Sequence, residues 1–181
     1  MTRSVCIGAV AGAIAGLAGA LAMNQFQRVA SLTGGGREAD DATSGRPRTG
    51  RGPQPAQARG NASDDATARV ANAAFSAAGY PLRRPRAKQI AGEFVHLAFG
   101  AANGALYGAA AELAPRVTAA AGVPFGTSVW VLADEGLVPA MGLSRGPREA
   151  SAGLLAYGFL SHCVYGITTE MVRRAVRQRL N

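Results

Sequence analysis

"SVCIGAVAGAIAGLAGALAMNQFQ", Ser4–Gln27, carries no charge between Arg3 and Arg28. About 20 consecutive apolar residues suffice for a helix to cross a bilayer, so this run is long enough. Gly8, Gly12 and Gly16, followed by Ala20, recur every four residues. That spacing puts small residues on one helical face, where another backbone can approach closely. Asn24 falls at the next step of the stripe and could hydrogen-bond to a neighbouring helix. A signal peptide is the rival reading, with Arg3 as a basic start and "ALA" at Ala20–Ala22 as a cleavage site. The apolar stretch is longer than a usual signal core, and the regular stripe argues for a retained packing helix.

Three further runs resemble it. Phe94–Ala111 is uncharged between Glu93 and Glu112, and Ala150–Thr169 between Glu149 and Glu170. Val117–Ser144 carries only Asp134 and Glu135. These runs predict an all-α fold, a polytopic membrane bundle of about four transmembrane helices. The third is the costliest, because a carboxylate at mid-bilayer is expensive. Composition agrees: 48% of residues are hydrophobic, 24 are glycine and only 6% aromatic. Such side chains bury little area in a soluble core but suit closely packed membrane helices. The mean hydropathy of +0.07 averages two unlike parts, because residues 37–88 are polar.

The organisation predicted from these patterns has four parts. Residues 1–29 form the first membrane helix. Residues 30–62, rich in Gly, Pro, Arg and Asp, form a disordered linker that cannot bury enough apolar area to order itself. Residues 63–80 form a short amphipathic helix, capped by Ser63 or Asp64, with Val70, Ala73, Ala74 and Ala77 as its apolar face and Gly79 and Pro81 as its stop. Residues 85–181 form a three-helix membrane region with a basic end. The net charge is +8, from 19 basic and 11 acidic residues. The basic residues flank apolar runs without interleaved aromatics, which excludes a nucleic-acid reading in favour of membrane anchoring. Arg83, Arg84, Arg86, Lys88, Arg173 and Arg174 are the expected partners of anionic lipid headgroups. The arginine count on the two sides is too even to orient the chain.

The polar residues inside the runs are the candidate site. Glu93, His96, Gly100, Asn103 and Tyr107 share a face of the second run; His162, Tyr165 and Thr169 share one in the fourth, with Glu170 nearby. The third run adds Asp134 and Glu135. Adjacent helix positions diverge by about 100°, so the two acids should not face the same partner. One is expected to meet His96 or His162, the other to turn toward Arg145 and Arg148. Three readings stay open: interhelical hydrogen bonds that hold the bundle in register, a proton or ion path, and a metal site. The metal reading is the weakest, since no HxxxH, ExxH or CxxC fixes two ligands on one element. Cys6 and Cys163 read as small buried side chains. No Walker loop, G-x-S-x-G or zincin helix is present, so the chain is expected to be non-enzymatic and to need no cofactor.

"HLAFGAANGALYGAAAELAP", "FGTSVWVLADEGLVPAMGLSRGP" and "SHCVYGITTEMVRR" resemble the YagU-like family of small bacterial inner-membrane proteins, a domain of unknown function. The resemblance is carried by His96, Phe99, Gly100, Gly104 and Tyr107, by Pro139 and Met141–Leu143, and by His162, Glu170, Arg173 and Arg174. It implies a multi-pass location in the inner (plasma) membrane and a link to acid or envelope stress, with no known ligand. At the Asp134–Glu135 pair the sequence departs from the better-known enterobacterial member of that family, so the resemblance implies no role for these two acids. Two functions follow as expectations: a structural or stress-related membrane component, or a small proton- or ion-conducting protein. Four spans make too small a pore in one chain, so conduction would require a homo-oligomer.

Overall fold

A computed structural model describes residues 2–32, 62–142 and 150–180. The linker expected over residues 30–62 therefore lies largely outside the described residues, as do Arg145 and Arg148. All described elements are helical, with no strand among the described residues. α1 spans Thr2–Leu32, α2 Ala62–Ala77 and α3 Pro85–Leu113. A 3-10 helix, Pro115–Gly122, leads into α4, Val123–Val129. A π-helical stretch, Trp130–Leu137, and the single turn α5, Val138–Ala140, complete this broken helix, and α6 spans Ala152–Arg179. Two segments are long and apolar enough to cross a membrane, Thr2–Leu32 and Pro115–Ala140. Only 39% and 22% of their apolar windows are buried inside the protein, which is low for core helices of a soluble fold.

α1 is the central element, because small residues occupy two of its faces. Gly8, Gly12 and Gly16 lie against Gly108, Gly104 and Gly100 of α3, so the two helices are antiparallel and nearly in backbone contact. The second face, Ala11, Ala15 and Gly19, is buried as well; Gly19 meets Tyr165 and Thr169 of α6. The outward face carries Val10, Ile14, Leu17 and Leu21, all exposed. An apolar outside on a small-residue inside is the arrangement of a helix among lipids. Were α1 removed as a leader, the centre of the bundle would go with it.

α3 begins two turns before its apolar run, with Pro85 in the first turn, where a missing N–H costs nothing. α2 rests on α3 where Gly92 leaves room for Ala68. Its buried side is therefore Ala71, whereas Ala73, Ala74 and Ala77 of the expected face are exposed. The one place where α3 lets another backbone approach decides the rotation of α2. Ser151 caps α6, its side chain accepting from the Leu154 amide at 3.2 Å.

The third run is not one continuous α-helix. Ala120, Ala121 and Gly122 take φ of 49°, 53° and 83°, a left-handed turn that re-aims the chain before Pro124. Gly122 is needed there twice over: for its φ, and because a Cβ would strike the Gly166 carbonyl of α6. Further on, Pro139 offers no N–H, and its ring would press on the carbonyl four residues back in a regular helix. The chain widens instead, and the Val138 amide donates to Ala133, five residues back.

Candidate functional site

The residues predicted as one site fall into two separate clusters. Along α3, His96 and Tyr107 are eleven positions apart, about 16 Å at 1.5 Å per residue. The glycine contacts between α1 and α3 fill the end near Tyr107. The opposite end opens into a cavity of about 540 Å³, whose inner limit is Ala20, Gly100 and Tyr165.

His96, Asp134, Glu135 and His162 all line this cavity, from α3, the widened segment and α6. Both acids reach it, against the expectation that they diverge. The physical reason is the widened turn: with i to i+5 bonding, successive side chains separate by a smaller angle. The same geometry puts Trp130 and Glu135, five apart, within reach, and the indole N–H donates to the Glu135 carboxylate. Gly158 makes room for that indole, since a Cβ there would stand 2.9 Å from Trp130 Nε1.

His162 is buried, with an oxygen opposite each ring nitrogen. Its Nδ1 lies 2.9 Å from the Gly158 carbonyl. A carbonyl only accepts, so Nδ1 carries the proton. Nε2 then faces Asp134 Oδ2 at 3.6 Å. Two states fit this pair: imidazolium with carboxylate, or neutral imidazole with the carboxylic acid. Gln27 of α1 is also buried at the cavity, and Arg69 contributes from the exposed side of α2.

The second cluster seals the other end of the bundle. Glu170 is only 1% exposed. It accepts from Tyr107 Oη at 2.9 Å, from Arg173 Nε and Nη2 at 2.7 and 3.0 Å, and from Arg174 Nε. Arg173 also lies over the Tyr107 ring, 5.9 Å from its centroid. Tyr107 stacks on Phe125 at 4.2 Å, Phe125 contacts Tyr165, and Tyr165 Oη donates to the Gly100 carbonyl at 2.8 Å. This layer separates the cavity from the Glu170 cluster. Arg173 is thus engaged inside the protein, while Arg174 keeps a half-exposed side chain. Asn103 joins neither cluster. Its side chain donates to the Phe99 carbonyl at 2.9 Å and faces a groove on the outside of α3.

Beyond the apolar run of α3, Glu112 binds Arg177 through two bonds of 2.7 and 3.1 Å and accepts from Ser4. One carboxylate thus ties the ends of α1, α3 and α6. The bonds from Arg177 and Ser4 hold the Glu112 carboxyl down to about 2. Its folded value lies below its unfolded one, so the stability it contributes is present above about pH 4.5 and is lost as pH falls toward 2. Arg177→Gln should therefore lower the thermal midpoint above about pH 4.5, with the gap to wild type closing toward pH 2. A gap that persists unchanged at low pH would assign the effect to packing instead.

Sequence reading missed Trp130, Gly158 and Gly166. The signal present was spacing: Gly158, His162 and Gly166 recur every four residues, with Gly158 against Trp130 and the His162 and Gly166 backbone against Gly122 and Gly126 of the third run. Among the described residues, no group of three or more His, Cys, Asp or Glu side chains converges as a metal site would require.

Residues 77–171 match the model of a family described as "Protein of unknown function (DUF1440)". The chain belongs to this family. The match covers α3 and most of α6, and so includes His96, Tyr107, Asp134, Glu135, His162 and Glu170, while α1, Arg173 and Arg174 lie outside it. No curated protein and no solved structure matches the chain.

Proposed function

We propose that this DUF1440 chain is a multi-pass, non-enzymatic inner-membrane protein that moves protons through its cavity, with Asp134 and His162 as the exchanging pair. The observation that carries this reading is the committed Nδ1 of His162, which leaves Nε2 facing a carboxylate across 3.6 Å inside a cavity. Such a pair passes a proton between its members without building net charge in a low-dielectric site. The titratable and charged groups around it are Glu135 from the same segment, His96 from α3, Arg69 from α2 and the phenols of Tyr157 and Tyr165 from α6; α1 adds the neutral Gln27.

Four crossings are proposed, by α1, α3, the broken helix and α6. The exposed Phe94 and Leu106 of α3, and Leu160 and Met171 of α6, support the two crossings that hydropathy alone does not single out. The YagU-like resemblance and its acid-stress link fit the same reading. The aromatic layer at Tyr165 means that conduction requires this layer to open or a second copy to complete the path. Where the polar residues serve structure instead, it is in the Glu170 cluster, whose hydrogen bonds are closed on one another.

Proton flux into liposomes tests the reading. Wild type is expected to exceed empty vesicles, and Asp134→Asn and His162→Gln each to lower that excess by about tenfold or more, within the range of general acid–base contributions. Flux in wild-type liposomes no higher than in empty vesicles would sink it.

A further inference from the structure

The cavity has features that a proton path alone does not need. At about 540 Å³ it matches the size of sites that hold small organic molecules, and like them it is mostly apolar with a few polar groups. The rings of Phe99, Trp130 and Tyr157 stand in its walls beside Asp134 and Glu135. Carboxylates and aromatic faces both attract cations. The arginine in the lining, Arg69, belongs to the exposed side of α2.

A second void, of about 300 Å³, lies on the outer side of α3, lined by Asn103, Phe125, Ser128 and Leu132. It shares Phe99, Val129, Ala133 and Leu137 with the main cavity. These four residues therefore stand between the two voids. α3 packs on α1 and α2 but hardly at all on the widened segment, so this side of the bundle is a seam. Leu132, beside it, is 71% exposed, which places the seam on the apolar surface.

We infer that the cavity binds an amphiphilic organic cation, which enters from the bilayer through the seam between α3 and the widened segment and places its charge against Asp134 and Glu135. An anion would meet two carboxylates there. A bare metal ion would find apolar walls and, among the described residues, no three-ligand group to replace its water. The inference rests on the proposed role of the cavity, and it adds a coupling: a bound cation supplies the positive charge that a proton otherwise supplies at Asp134, so one leaves as the other binds.

Trp130 is the single tryptophan of the chain, and it lines the cavity, so its fluorescence reports occupancy. Purified full-length protein is titrated with tetraphenylphosphonium, and in parallel with tetraphenylborate, an anion of the same shape. The expected result is saturable quenching by the phosphonium only, with affinity lowered about tenfold or more by Glu135→Gln. If Glu135→Gln does not elute as folded protein, Asp134→Asn is held to the same criterion. Equal quenching by both ions, quenching linear in concentration, or unchanged affinity in the folded variant would overturn the inference. The two proposals fail separately. Phosphonium that does not bind, with liposome flux still dependent on Asp134, rejects the ligand and keeps the proton path; saturable binding without flux does the reverse.

Discussion

Gly104→Leu is expected to destabilise the folded bundle severely. Gly104 sits at the middle of the α1–α3 crossing, where a Cβ would stand 2.6 Å from the Gly16 Cα and strike the Gly12 carbonyl. Two carbons settle at about 3.5–4.0 Å, so the helices would have to part by about 1 Å along the whole seam. These neighbours are backbone atoms, which cannot rotate out of the way. Overpacking of side chains alone costs about 1–3 kcal/mol, and backbone overlap should exceed that. At about 2–4 °C per kcal/mol for a chain of this size, the thermal midpoint should fall by about 6–12 °C or more. Leu106→Ala, two positions on and facing the opposite side of the same helix, 71% exposed, is the control and should change stability by no more than about 0.5 kcal/mol. Thermal unfolding in detergent, followed by size exclusion, reads both. A Gly104→Leu protein as stable as Leu106→Ala would show that α1 and α3 do not meet through this face.

Glu170→Ala is expected to have the second largest effect. The carboxylate is the shared acceptor for Tyr107, Arg173 and Arg174. Removing it leaves Arg173, only 8% exposed, as a buried charge without its counter-ion. Breaking a buried pair on one side costs about 3–5 kcal/mol, or about 6–20 °C in thermal midpoint at this chain length. Most of that loss is the stranded arginine rather than the pair's own net strength. The double variant Glu170→Ala, Arg173→Leu should therefore recover part of the lost stability. If the double variant is less stable than Glu170→Ala, the cluster contributes mainly through its hydrogen bonds to the carboxylate.

The two predictions concern the sealed half of the bundle, and the sequence announced that half unevenly. The Gly8–Gly12–Gly16 stripe was legible because a four-residue repeat of glycine has few other meanings in an apolar run. Its partner, Gly100–Gly104–Gly108, repeats with the same spacing, but it shares its run with His96, Asn103 and Tyr107, so spacing alone does not say whether glycine or polar contacts set the packing. The second buried face of α1, Ala11–Ala15–Gly19, was hidden because alanine is common throughout the chain. In the third run, Gly122, Gly126 and Pro139 interrupt a regular helix by residue type alone. The form of the interruption at Ala120–Gly122, a left-handed turn, depends on how closely α6 lies against it.

The candidate residues divide in the same way. That His96, Tyr107, Asp134, His162 and Glu170 are unusual follows from their chemistry in apolar runs, and it needs no coordinates. That Asp134 and Glu135 share a cavity, while Tyr107 and Glu170 form a separate lock with Arg173, does not follow from it. Periodicity within a helix tells which residues share a face. It says nothing of how far one helix slides along another. Here backbone contact between glycines sets that slide, and so the tertiary structure alone decided which polar groups meet. The sequence by itself determined the helical class, the apolar surface and the small-residue stripe, because each depends only on residues near in the chain.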